Sequence, residues 1–180
     1  MSDVREPFYV MKCPGTLPGT MLQSWPDHPE SPWMRGTPVE PLDGSAIFTL
    51  SESYPGNLKA WYEASIPLIR DDLREALEAA GVDNLQTFDA ILVEPWSGAE
   101  HANYKAVNIV GIASAVDEEH SERAPGLDLG MAATFFDSLS VDATKANGLL
   151  MFRLAESVNA IVVHQCVVDA IRGAGIPGMF

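Results

Sequence analysis

The spacing of apolar and polar positions changes period several times along the chain, and each change predicts an element. Phe8 to Lys12 ("FYVMK") has the composition of an opening strand, and "SAIFTL" from Ser45 is a second short one. From Leu68 the period becomes helical: "LIRDDLREALEAAG" lines up Leu73, Ala76, Leu77 and Ala80 on one stripe. Asp71 and Asp72 stand at the positive N-terminus of that helix, and Gly81 stops it. "QTFDAILVEP" predicts a strand ended by Pro95, "WSGAEHAN" a turn, and "YKAVNIVGIASAV" a long apolar strand rich in β-branched residues. Two such runs joined by a short polar loop predict an antiparallel pair.

Residues 117–148 hold turns, one short helix and a strand near Phe135 to Leu139. "LLMFRLA" and "AIVV" then bracket the polar turn "ESVN", a second hairpin. A last helix, Gln165 to Ala174, carries its stripe on Val167, Ala170, Ile171 and Ala174 and stops at Gly175, before a terminal strand or tail, "IPGMF". The two helical phrases align at constant offset: Leu73 with Val167, Ala76 with Ala170, Leu77 with Ile171, Gly81 with Gly175, Val82 with Ile176. The expected architecture is α+β, a mostly antiparallel sheet carrying two equivalent helices. One domain over residues 1–180 is expected from the length.

Residues 14–41 interrupt this regularity. Seven of the thirteen prolines fall there, with Gly15, Gly19 and Gly36, which excludes an α-helix. Trp25, Trp33, Met21 and Met34 are costly to leave in water, so the segment is expected to lie over the core as an irregular covering. The alternative is an arm that buries its aromatics against a partner.

Charge narrows the partners. Asp plus Glu number 25 against 11 Lys plus Arg, a net charge of −14. Such a chain lacks the cationic footprint that nucleic acid or anionic lipid requires, and it would steer toward a basic protein. The same acidity also serves solubility. No apolar run approaches the ~20 residues of a membrane span. The start, "MSDVREPFYVMKC", has no basic region followed by an apolar run, so no signal peptide is expected. Cys13 and Cys166, without zinc spacing, suit a reducing cytoplasm.

Candidate chemistry is sparse. His164 and Cys166 suggest a thiolate–imidazole pair, but at i and i+2 on a helix they would point about 200° apart. The expectation is a polar helix starter and a small buried hydrophobe. "DEEHS" (Asp117 to Ser121) offers ligand types, yet consecutive side chains diverge, and Asp117 is expected to cap a helix with Glu118 and Glu119 in its first turn. His28, His101 and His120 fall in expected loops. No phosphate loop, dinucleotide fingerprint or nucleophile elbow is present, so neither a cofactor nor a metal is implied. Arg153, inside an apolar strand, is expected to pair with a carboxylate, and Asn108 to satisfy neighbouring backbone groups. The tryptophans Trp25, Trp33, Trp61 and Trp96 are core residues or interface anchors.

The ordered set of motifs resembles a family, the immunity-protein-eleven family of bacterial polymorphic toxin loci. The positions that carry the resemblance are Phe8 and Tyr9; Pro67, Leu68 and Ile69; Gly81, Val82 and Asn84; Val107 and Asn108; Asp117 and Ser121; Phe152 and Arg153; and Gly175, Gly178 and Phe180. It spans residues 8–12 and 57–180 and leaves 14–41 uncovered. The chain departs from the pattern at the two helix starts, where Arg70 and His164 replace serine, and it stops at Phe180 where relatives often continue. The resemblance implies a cytoplasmic, non-catalytic inhibitor of a cognate toxin, and the acidity favours a basic one such as a nuclease or deaminase. Immunity families vary their contact surfaces, so no binding residue transfers. On charge and expected exposure, the candidate partner contacts are Trp96, Glu100, Asp117, Glu118 and Glu119. The rival readings are an adaptor or chaperone for a secreted effector, and a small enzyme using His164 and Cys166.

Overall fold

The computed structural model describes residues 7–12, 19–26, 32–124 and 134–177. The sequence expectations for Cys13, His28, Gly178 and Phe180 fall outside them. Along the described chain come β1 (Phe8–Met11), β2 (Leu22–Ser24), β3 (Ala46–Leu50), β4 (Trp61–Tyr62), β5 (Leu68–Arg70), α1 (Asp71–Ala79), β6 (Leu85–Glu94) and β7 (Ala99–Ile109). They are followed by β8 (Ile112–Ala113), β9 (Glu122–Arg123), β10 (Phe136–Ser138), β11 (Met151–Leu154), β12 (Ser157–His164) and α2 (Gln165–Gly173). The class is α+β, with mostly antiparallel sheets and two α-helices among the described residues.

The larger sheet runs β2-β3-β6-β7-β5-β4, and the smaller runs β1-β12-β11-β8. β9 and β10 form a separate ribbon. Among the described residues only β3–β6 and β8–β11 pair in parallel. A parallel pair needs a long crossover, and for β3–β6 that crossover contains β4, β5 and α1.

Burial follows strand alternation. On one face of the larger sheet Phe48, Ala90, Leu92, Tyr104 and Ala106 pack with Trp33, Val39 and Ile66. Towards β5 the opposite face presents Ile69, Val107 and Ile109 to a second core. That core is shared with Leu73 and Leu77 of α1, Val167, Val168 and Ile171 of α2, and Met11, Met151, Ile161 and Val163 of the smaller sheet. Each helix therefore buries one face in this shared core and leaves the other, with Glu75 and Glu78 or Asp169 and Arg172, to solvent. Full burial of Leu73 or Leu77 contributes about 1.5–3 kcal/mol each. The smaller sheet's other face, with Phe152, Leu154 and Val162, packs on Ala115, Val116 and Ala146.

Both helices stop by the same local chemistry. In α1 the Val82 N–H donates to Leu77 C=O and Gly81 N–H to Glu78 C=O, with Gly81 at φ 95°. In α2 Ile176 and Gly175 donate to Ile171 and Arg172, with Gly175 at φ 71°. These are Schellman ends, which glycine adopts without a Cβ clash. The starts differ. His164 accepts a bond from Cys166 N–H, whereas Arg70 makes no capping bond and instead grips Asp72 with Nε and Nη2, at 2.8 and 2.7 Å.

Several expectations change. The turn after Pro95 is short, and β7 begins at Ala99, so His101 lies in a strand rather than a loop. The long apolar strand expected from Tyr104 to Val116 breaks at Gly111 (φ 152°). Gly36 lies directly against this bend, where an added Cβ would stand 2.8 Å from the Gly111 carbonyl carbon. Beyond the bend the chain leaves the larger sheet and pairs with β11 in the smaller. Asn84 Nδ2 holds the junction, donating to Val110 C=O at 2.9 Å and Met151 C=O at 2.8 Å. In the hairpin β11–β12 only Ala155 and Glu156 turn, since Ser157 to Asn159 already belong to β12. The short helix of the 117–148 stretch is a single 3-10 turn, Ala143–Lys145, capped by Asp142.

The described part of 14–41 divides its large side chains between core and solvent. Trp33, in a 3-10 turn Pro32–Met34, is buried edge-on against Phe88, and Thr20 is buried beside Tyr62. Met21 and Trp25, expected to be covered, are exposed on either side of β2. Asn108 Nδ2 donates to Thr37 C=O and to Gln86 Oε1, at 2.9 and 2.8 Å. Gln86 Oε1 also accepts from Val39 N–H, so this amide pair ties residues 37–39 to the sheet. Arg153 overturns its expectation: it is buried without a carboxylate partner among the described residues, and Nη1 donates instead to Val158 C=O at 2.8 Å. Desolvation lowers its pKa to about 10.

Candidate functional site

The ten-residue strand β6 and its partner β7 carry Trp96 and Glu100 to the free end of a long hairpin. Pro95 cannot continue the ladder, and Gly98 N–H closes the turn on Glu94 C=O at 2.8 Å. Ser97 Oγ donates to the Glu94 carboxylate, and His101 Nε2 stands 3.8 Å from the same group. Trp96 is left 41% exposed at the tip.

Sheet register brings other side chains to this end. Because β3 and β6 are parallel, with Thr49 beside Val93, both strands finish at the same edge. β2 starts there, Leu22 facing Leu50 and Ser51 N–H donating to Met21 C=O at 2.8 Å. Met21 (48% exposed), Tyr54 (53%) and Trp96 therefore emerge from one end of three adjacent strands. Glu52, Glu94 and Glu100 belong to the same end. Alternation turns Glu100 and its neighbour Val93, with Ile91, Thr49 and exposed Ile47, onto the face opposite Phe48 and Leu92. Neither Met21, Tyr54 nor Ile47 was singled out from the sequence as a contact. Met21 stood out only as a large side chain of 14–41, and for Tyr54 the only signal was a tyrosine in the polar turn "SESYPG", which nothing local carries to the same end as Trp96.

Asp117, Glu118 and Glu119 lie elsewhere, in the turn after β8 of the smaller sheet. The expected helix does not form, and Asp117 caps a turn: Oδ1 accepts from Glu119 N–H at 3.2 Å and Oδ2 contacts His120 Nδ1 at 2.8 Å. Glu118 accepts from Arg123 at 2.6 Å. Ser121 Oγ donates to Ser140 C=O and accepts its N–H, which anchors the turn to the segment before Val141. Two of the three acids thus already have side-chain partners within the turn, Asp117 in His120 and Glu118 in Arg123. The five contacts chosen from the sequence form two separate sets.

His164 and Cys166 come closer than helical geometry allows. His164 Nδ1 stands 3.1 Å from Cys166 Sγ and accepts the Cys166 N–H at 3.2 Å. The 200° divergence holds only if both residues are helical. As N-cap, His164 is extended (φ −73°, ψ 156°), and its ring folds back over the first turn. The Phe8 ring meets it edge-on at 5.2 Å, and half-buried Cys166 packs against the core that the two helices share. Nδ1 thus meets both the Cys166 thiol and the Cys166 N–H, and the second contact is the helix cap.

Among the described residues no three His, Cys, Asp or Glu side chains converge as a metal-ligand set, and no helix is long and apolar enough to cross a membrane. Compared with known families and curated proteins, the chain matches no family model and no curated sequence.

Proposed function

We propose that this protein is a cytoplasmic immunity protein that binds a cognate bacterial toxin and blocks it without catalysis. The observation that carries the reading is the end of the larger sheet, where exposed Met21, Tyr54 and Trp96 are accompanied by Glu52, Glu94 and Glu100 on a chain of net charge −14. Aromatic and methionine anchors within a polar rim are the anatomy of a protein interface. The acidic rim favours a basic toxin such as a nuclease or deaminase. The resemblance of the ordered motifs to the immunity-protein-eleven family supports the same reading. We read the two helices as equivalent packing units of that fold, supported by their shared nine-residue length and Schellman ends. The Pro-rich stretch would then serve to flank the binding end, supported by the exposure of Met21 and Trp25 beside β2.

The test is whether a neighbouring gene encodes a protein with a toxin domain, and co-expression of the chain with that protein. The chain should restore growth, and a Tyr54→Ala, Trp96→Ala double variant should fold normally yet bind about 30-fold or more weakly, the scale of a hot-spot loss. A neighbour that is harmless when expressed alone would remove the basis of the proposal.

A further inference from the structure

The outer strands of the two larger sheets are not alike. β2 has three residues and a register shift against β3, and β4 and β8 have two residues each. Short or irregular edges of this kind discourage pairing with another chain. β1 has four residues, Phe8–Met11, and pairs with β12 without a shift. From Pro7 to Lys12 ("PFYVMK") the chain holds none of its 25 acidic residues and a single lysine.

Register shows which main-chain groups this edge presents. Gln165 N–H donates to Pro7 C=O at 3.0 Å, so these two form a hydrogen-bonded pair of the antiparallel ladder. Alternation then turns the N–H and C=O groups of Tyr9 and Met11 inward, to Val163 and Ile161. Those of Phe8, Val10 and Lys12 face outward, and among the described residues no strand takes them up. The six-stranded sheet shows a filled counterpart. There β5 runs straight into α1, as β12 runs into α2, and each of these strands has an antiparallel neighbour, β7 or β1. Beyond β7 lies β6, antiparallel to it, whereas no described strand lies beyond β1.

We propose that the outer edge of β1 pairs with β1 of a second copy of this chain, antiparallel about a two-fold axis at Val10. Val10 then bonds Val10 of the partner subunit, and Phe8 bonds Lys12 of the partner subunit. The axis stands perpendicular to the sheet, so Phe8 and Val10, which share a face by alternation, meet the same face of the other copy. Two chains of net charge −14 repel each other, but this pairing sets no carboxylate opposite another. Lys12 disfavours a basic partner here, which favours a copy of the chain itself as the occupant. One strand pair buries little area, so the dimer is weak and forms at high concentration.

The experiment is sedimentation equilibrium of the full chain, with amide hydrogen exchange at both ends of the concentration range. Between about 1 µM and about 1 mM a reversible monomer–dimer change should appear. The amides of Phe8, Val10 and Lys12 should gain about tenfold protection or more on concentration, while those of Tyr9 and Met11 are protected throughout. Val10→Pro removes an outward N–H, which an edge strand tolerates, and should stay folded and monomeric. If it does not fold, Val10→Glu and Val10→Lys decide the matter. Each alone should be monomeric, and an equimolar mixture should dimerise, because the axis sets the two side chains opposite each other. A monomer at every concentration overturns the proposal, as does a dimer that survives Val10→Pro or either charged variant. Protection of the Val10 amide in the dilute monomer also overturns it, by showing that the chain covers its own edge. None of these readouts depends on toxin binding.

Discussion

Asn84 joins two sheets through one amide. Its side chain donates to the carbonyls of Val110 and Met151, the first at the end of the larger sheet and the second in the smaller. Asn84→Ala removes both bonds and should cost about 1–3 kcal/mol, measured by chemical denaturation. An unchanged midpoint would mean that the junction is held by packing alone. The sequence showed Asn84 only as part of a motif, since neither acceptor is local. Arg153 and His164 were misread for related reasons. The burial of Arg153 was legible from its apolar strand, but whether a carboxylate reached it depended on the partner strands. The separation of His164 from Cys166 was argued from helical angles, and a cap residue lies outside the helix to which those angles apply.

The helices were the most legible elements, because stripe, acidic first turn and glycine stop are all encoded within about a dozen residues. At the start of α1 the hydrogen bond from Arg70 holds the Asp72 carboxyl below its ordinary pKa of 3.8. Its contribution is therefore complete above the unfolded-state pKa and is lost as pH falls through 3.8 and below. Because Asp72 is half exposed, the contribution should not exceed about 1 kcal/mol. The stability difference between wild type and Asp72→Asn, followed by urea unfolding, should be constant near neutral pH and shrink in acid. A difference that grew on acidification would contradict the pairing. Strand boundaries were less legible. β7 extends further toward the turn than its apolar run, since Glu100 and His101 are polar yet paired with Val93 and Leu92, and Gly111 ends it because Gly36 and Asn84 meet it there.

At the scale of the molecule, parallel pairing of β3 with β6 decides which loops become neighbours. It collects Met21, Tyr54 and Trp96 at one end and separates them from the Asp117 turn. If that end recognises a basic toxin, raising NaCl from ~0.05 to ~0.5 M should slow association about tenfold or more with little change in dissociation. Stopped-flow mixing reads this directly, and a flat salt dependence would leave apolar contact as the main source of affinity. Glu94→Gln with Glu100→Gln should flatten the slope, whereas Glu118→Gln and Glu119→Gln should not.

Hydrophobic period, helix caps and charge balance are local or additive properties, so the sequence alone determined the α+β class, both helices, the two hairpins and the acidity. The order of strands, the break at Gly111, the burial of Arg153 on the Val158 carbonyl rather than on a carboxylate, and the company of Trp96 were decided only by tertiary structure. Each depends on residues far apart in the chain meeting across a sheet, and no local pattern records which distant strand will pair.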